Sequence, residues 1–207
     1  ADGTQTAAIG AGGRVPSGTI TVGNVEIWDG SSWTETTDMT NTRRAGHLTG
    51  TSTNALYFGG KTPGPSLAQT ELWNGSSWTE VGDLNRIVKE SFGAGADNTA
   101  ALCYGGESPS GNDSRVESWN GSSWTEVGDL NTAREANGGA GIYTATICYG
   151  GYNSPDYKAN TENWNGSAWS EINDMNTARG SFSSIGTTST AALAAGGYPT
   201  TAKNEDW

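Results

Sequence analysis

Trp28, Trp73, Trp119 and Trp164 are spaced by 45, 46 and 45 residues, and each opens a version of Trp-Asn-Gly-Ser-Ser-Trp-Thr-Glu. Asp29 replaces the Asn in the first copy, and Ala168 and Ser170 vary the last. Gly-Gly pairs at 12–13, 59–60, 105–106, 150–151 and 196–197 keep the same beat. A period of about 20–50 residues means that one supersecondary unit is copied and stacked, because a single unit cannot bury its own apolar face. The chain therefore reads as a single domain over residues 1–207, with units at approximately 1–43, 44–87, 88–133, 134–178 and 179–207.

Each unit resolves into four short β segments, and no stretch carries apolar residues at helical spacing over three turns. Segment one, as in Arg134-Glu-Ala-Asn-Gly-Gly-Ala-Gly, is built from Gly, Ala and Ser. Such residues are weak strand formers, so the position demands small size. Segment two runs into the glycine pair, as in Thr99-Ala-Ala-Leu-Cys-Tyr-Gly-Gly, and is apolar enough to be covered on both faces. Segment three carries Glu-x-Trp and segment four Trp-Thr-Glu; the Asn-Gly between them favours positive φ and predicts a hairpin.

Four antiparallel strands in about 45 residues, without helices, match one blade of a β-propeller. The chain resembles kelch repeats: a strand ending in Gly-Gly (Gly59-Gly60), a spaced aromatic (Trp73), a Trp (Trp78), and an Arg in the approach to a following repeat (Arg134), with counterparts throughout. It departs from that pattern in having Trp at the first aromatic and a compressed hairpin. The expected fold is all-β, a propeller of five four-stranded antiparallel blades with the first and last incomplete. Segments two and three occur five times and segments one and four only four times. Five units of about 45.5 residues would need about 228, so roughly one segment four plus one segment one is lacking. A ring with a half-blade gap and a piece of a longer chain fit that arithmetic equally. In a five-bladed ring, crowding of the innermost strand at the axis would account for the small residues of segment one.

Charged residues make up 16% of the chain, against about 25% in an ordinary protein. The net charge of −11 argues against nucleic acid or an anionic membrane as partner. No apolar run approaches the roughly 18 residues of a spanning helix, so no membrane insertion is expected. Cys103 and Cys148 hold equivalent positions in successive units. Packed sheets lie about 10 Å apart while a disulfide needs Cα atoms within about 4.4–6.8 Å, so both are expected free and buried. His47 is the one histidine, which rules out a multi-histidine metal site. No cofactor, no metal and no catalytic constellation is expected, and the chain reads as a non-enzyme.

Strands that alternate in direction place the one-to-two and three-to-four turns on one face, and the two-to-three loops and four-to-one crossovers on the other. All eleven basic residues fall in the second set. Arg44, Arg134 and Arg179 are the repeat arginines, structural residues at the mouth of the channel, and Val88 interrupts their ring. The two-to-three loops differ between units, and variable loops on a constant scaffold are where binding usually lives. They carry Lys61, Arg115, Tyr152, Tyr157, Lys158, Tyr198 and Lys203. The function expected from these residues is non-enzymatic binding of a glycan or protein by the variable-loop face. The alternatives are a structural component of a virion, tail fibre or surface assembly, with self-association or membership of a larger assembly, and an accessory domain of a larger secreted enzyme. An extracellular, virion or cell-surface location accompanies all three.

Overall fold

The computed structural model describes residues 2–15, 20–199 and 204–206, and among these it contains strands and no helix. No helix is therefore long and apolar enough to cross a membrane. Each unit folds into its own antiparallel sheet with strands in chain order. Sheet one comprises Asp2–Thr4, Ala7–Arg14, Thr21–Trp28 and Trp33–Glu35; sheet two comprises His47–Gly50, Ala55–Phe58, Thr70–Trp73 and Trp78–Glu80. Sheet three runs through Phe92–Asp97, Ala100–Tyr104, Val116–Trp119 and Trp124–Glu126, and sheet four through Gly138–Ile142, Ala145–Tyr149, Thr161–Trp164 and Trp169–Ile172. Sheet five has three strands among the described residues, Ser183–Thr188, Ala191–Ala195 and Asn204–Asp206.

The first unit departs from expectation. It was expected to lack its first strand, yet Asp2–Thr4 pairs with Ala7–Ile9. Asp2-Gly3-Thr4 repeats the end of the equivalent strand, Thr49-Gly50-Thr51, and Gly3 takes the same positive φ (134°) as Gly50 (118°). The Asp2 carboxylate then accepts a hydrogen bond from the Gly50 amide at 2.9 Å, tying sheet one to sheet two.

The alternation of side chains along each second strand splits the core into shared layers between neighbouring sheets. Ala55 and Tyr57 pack towards sheet one with Ile9 and Val25, whereas Leu56 and Phe58 pack towards sheet three with Cys103, Trp119 and Trp124. Leu102 and Tyr104 meet Cys148, Trp164 and Trp169, and Ile147 and Tyr149 meet Ala192 and Ala194. Both cysteines are free and buried in these layers, and burial pushes the Cys148 thiol up to about 11.

The tryptophan hairpin pairs Trp73 with Trp78, Trp119 with Trp124 and Trp164 with Trp169, ring centroids 5.3–5.4 Å apart. Its four-residue loop is held by the Asn side chain: Asn120 Oδ1 accepts from the Ser122 and Ser123 amides and the Ser122 hydroxyl at 2.9–3.0 Å. Asp29 does the same in sheet one, and these bonds, the Ser32 amide first, hold its carboxyl down at about 2. Glycine supplies the positive φ that follows, 93–97° in all four copies. The first indole of each hairpin donates to a carbonyl in the one-to-two turn (Trp119 Nε1 to Asn98 O, 3.0 Å), so both turns do lie on the same face.

The small residues of the first strands have a different cause from the one expected. A Cβ on Gly93 would stand 2.6 Å from Phe58 Cζ, and one on Gly139 would stand 2.1 Å from the Tyr104 hydroxyl. An aromatic ring of the preceding sheet wedges in beside each of these first strands, so the crowding is lateral. The first strands leave open space where they meet: residues of all five line one cavity of about 1120 Å³.

Buried guanidinium groups at the crossovers meet the Glu of Glu-x-Trp. Arg43 pairs with Glu71 at 2.9 Å and also donates to Gln69 O; Arg134 pairs with Glu162 and donates to Asn160 O. The residue at the repeat position is thus Arg43, and Arg44 beside it is half-exposed. Val88 occupies that slot in the next unit, but Arg86, two residues earlier, reaches the same place, 3.1 Å from Gly105 O and 3.9 Å from Glu117. The guanidinium series is unbroken. Glu26, which meets no such arginine among the described residues, is exposed.

This contrast predicts unequal costs for one chemical change. Glu162→Gln strands the Arg134 charge in the interior and should cost about 3–5 kcal/mol, while Glu26→Gln should stay within about 0.5 kcal/mol of the parent. Urea denaturation of the two variants checks this, and equal costs would contradict it.

Candidate functional site on the variable-loop rim

The glycine pair that ends each second strand turns the chain onto the variable-loop face. Gly59, Gly105 and Gly150 have φ of 60–64°, and the second glycines 95–103°. The second glycine donates its amide to the crossover of the next unit: Gly60 to Val88 O, Gly106 to Arg134 O and Gly151 to Arg179 O, each 2.8 Å. A Cβ on Gly106 would meet Lys89 O at 2.7 Å, so no larger residue fits that approach. The residue directly after each of these glycines forms an isolated antiparallel bridge with the crossover of its own unit, giving four pairs in unit order: Arg44 with Lys61, Lys89 with Glu107, Glu135 with Tyr152, and Gly180 with Tyr198. Backbone holds these bridges, through reciprocal hydrogen bonds of 2.7–3.0 Å.

The next residue of each unit, Ala45, Glu90, Ala136 or Ser181, is left-handed at φ 51–56°. Their backbones link into a collar: the Glu90 amide donates to Ala45 O, Ala136 to Glu90 O, and Ser181 to Ala136 O. Inside the collar lies a well of about 400 Å³ with His47, Phe92, Asn137 and Phe182 in its wall. His47 packs against Phe92 with centroids 4.4 Å apart, and burial holds its imidazole neutral, down at about 3.

The rim above this well changes character from one bridge to the next. Arg44 and Lys61 make one arc cationic. Lys89 contacts Glu107 and approaches Glu90 at 3.9 Å in the next. Desolvation and then the neighbouring Glu107 push Glu135 up to about 7, while the Lys89 contact holds Glu107 below the ordinary carboxylate range. The last arc is aromatic. Tyr152 and Tyr157 face each other across a two-stranded ribbon, Tyr152–Asn153 with Asp156–Tyr157, at 5.0 Å between centroids. Tyr157 meets Tyr198, from the following unit, at 5.3 Å. Desolvation, then the neighbouring Tyr198, Tyr152 and Glu135, raises the Tyr157 phenol.

The structure thus brings together Tyr152, Tyr157 and Tyr198, and puts Lys61 and Arg44 on the same rim. It takes Arg115 elsewhere: its Nε and Nη2 grip the Asp113 carboxylate at 3.0 and 2.6 Å, which closes its own loop. Lys158 sits where the Tyr152–Tyr157 ribbon leaves the rim, its amide bonded to Gly151 O and its carbonyl accepting from the Arg179 amide. Lys203 lies outside the described residues. Arg134 and Arg179 are fully buried, as are Arg43 and, nearly so, Arg86; the one-sided placement of the bases is therefore partly an interior feature.

Sequence reasoning missed Lys89, Glu107 and Glu135. The signal was present: with the units aligned on Met39, Leu84, Leu130 and Met175, the residue after the arginine slot reads Arg44, Lys89, Glu135 and Gly180. One position of a strict repeat that changes sign is a candidate for a side chain the scaffold does not use. Among the described residues no three His, Cys, Asp or Glu side chains are grouped to hold a metal ion. No family model matches the chain, and no curated protein matches it in sequence.

The raised Glu135 carboxyl makes a signed prediction. The folded chain keeps a proton that the unfolded chain releases near 4.5, so stability should fall as pH rises from about 4.5 through about 7. Glu135→Gln should flatten that segment of the stability–pH curve. Denaturant midpoints measured at half-unit intervals test it, and an unchanged slope would refute the assignment.

Proposed function

We propose that the chain is a kelch-like propeller of five blades whose variable-loop rim binds a glycan without turning it over. The single observation that carries this reading is the convergence of Tyr152, Tyr157 and Tyr198, from two different units, into one run of rings at the rim. Tyrosine suits a sugar ligand, because its ring offers an apolar face to the C–H surface, its hydroxyl a polar edge, and only two torsions are frozen on binding. The adjoining arcs supply carboxylate acceptors in Glu107 and Glu135 and cationic donors in Arg44 and Lys61 for the ring hydroxyls. The propeller itself is supported by the shared axial cavity and by the layers of core that link each sheet to the next in chain order. Extracellular or surface exposure accords with this reading.

A glycan array probed with the purified chain should return ligands, and Tyr157→Ala should weaken the best of them at least about tenfold in a titration, since a central aromatic anchor carries a disproportionate share of binding energy. Arg115→Ala should bind like the parent, because its guanidinium is committed to Asp113. An array without ligands, or a Tyr157→Ala chain that binds as tightly as the parent, would overturn the proposal.

A further inference from the structure

The loop of the tryptophan hairpin is a socket for one oxygen atom, built the same way whether an amide or a carboxylate fills it. In sheets two, three and four, Asn74, Asn120 and Asn165 each present Oδ1 to three donors. These are the amide of the residue two ahead at 3.0 Å, its hydroxyl at 2.9 Å and the next amide at 3.0 Å. In sheet one the Asp29 carboxylate takes the same three donors at 2.8, 2.8 and 2.9 Å. The glycine that follows keeps its conformation, φ 97° after the aspartate against 93–94° after the asparagines. The socket therefore holds a carboxylate without rearranging. All four side chains are exposed, and the amides of Gly75, Gly121 and Gly166 donate no backbone hydrogen bond among the described residues. The chain has a fourth Asn-Gly, Asn137-Gly138, which lacks all of this. Asn137 is buried, its Oδ1 has no partner, and Gly138 lies on a strand paired with Tyr149.

We propose that Asn74, Asn120 and Asn165 are self-converting modification sites, at which the loop turns its own asparagine into the aspartate already present at position 29. The glycine nitrogen, giving up its proton to solvent base, forms a bond to the asparagine Cγ. Oδ1 takes up the electron pair as an oxyanion, and the three donors already aimed at it hold that charge. The bond from Cγ to Nδ2 then breaks, and Nδ2 takes a proton from water and leaves as ammonia. Water adds to Cγ of the resulting cyclic imide, and the bond from Cγ to the glycine nitrogen breaks, restoring the peptide amide and leaving a carboxylate. The donors on Oδ1 polarise Cγ and so direct water there. Addition at the main-chain carbonyl instead would give isoaspartate, with an extra carbon in the main chain of a loop held between paired tryptophans. The same donors hold the Asp29 carboxyl down at about 2, so each converted loop is charged at neutral pH. Full conversion adds three negative charges on the hairpin face to a chain of net charge −11. None of these residues belongs to the rim, so this inference and the glycan reading stand or fall separately.

Timed incubation of the purified chain in mildly alkaline buffer, followed by isoelectric focusing and peptide mapping, tests this. The expected result is a series of acidic steps that map to Asn74, Asn120 and Asn165, with aspartate in excess of isoaspartate and Asn137 intact. Ser76→Ala removes one donor from Asn74 Oδ1 and should slow that site several-fold. Asn120 and Asn165 in the same molecule are internal references, so the comparison holds even if the variant is less stable. A chain made directly with Asn74→Asp, Asn120→Asp and Asn165→Asp should melt no lower than the parent. Isoaspartate in excess, conversion of Asn137 ahead of the hairpin sites, or a Ser76→Ala site that keeps pace with Asn120 would each overturn the proposal. So would a triple variant that melts several degrees lower, or a folded chain that stays unconverted while the urea-unfolded chain converts.

Discussion

The buried guanidinium of the crossover is the joint on which the alignment of one sheet with the next most depends. Arg134 binds Gly150 O, Asn160 O and the Glu162 carboxylate, which belong to the end of the second strand, the loop that follows and the third strand. Its own carbonyl receives the Gly106 amide of the preceding sheet. Sheets packed face to face share no ladder, so without this joint they could slide or rotate on their side chains. The energetics divide the labour. Each fully buried tryptophan removes about 150–250 Å² from water and so contributes at most about 4–6 kcal/mol, whereas a buried ion pair roughly breaks even against its desolvation. The indoles stabilise the stack, and the Arg–Glu pairs set its register.

That division explains why Arg86 can stand in for an arginine at Val88. A guanidinium is needed at one place in space, not at one place in the chain, and its long side chain lets a residue two positions earlier deliver it. Val88 then fills the apolar space, buried in the layer with Leu56 and Leu84. A carboxylate cannot be relocated so easily, because Glu117 lies on a regular strand with fixed alternation. The Glu therefore stays in step with the period while the Arg does not.

Much of the architecture was legible in the sequence for the same reason: Trp, Gly-Gly and Glu-x-Trp sit on regular strands and tight turns, where one residue type answers one local demand and recurs. What could not be read depended on contacts between units. The small residues of the first strands respond to Phe58 and Tyr104 of the preceding sheet, and an aromatic at one position says nothing about which neighbour it will press upon. The three tyrosines were identifiable as loop aromatics, but their convergence required the ribbon that turns Tyr157 back onto Tyr152 and the next unit's loop that brings Tyr198 alongside. Lys89, Glu107 and Glu135 were hidden because each occurs once and resembles an ordinary surface charge.

The left-handed residues of the collar decide how the rim relates to the scaffold. A non-glycine residue in that conformation costs roughly 1–2 kcal/mol, and such strain often marks a functional site. Here it recurs at Ala45, Glu90, Ala136 and Ser181 within a few degrees, whatever side chain is present and whatever charge the adjoining rim carries. Strain that ignores side-chain identity belongs to the architecture: it turns each amide towards its neighbour's carbonyl, and the three hydrogen bonds of the collar offset it. The bridge residues just outside are fixed by main chain alone, which leaves their side chains unconstrained. Four bridges of identical backbone can then carry an Arg–Lys, a Lys–Glu, a Glu–Tyr and a Gly–Tyr pair at no cost to the fold. Side chains of different chemistry accumulate there because the repeat's backbone demands nothing of them.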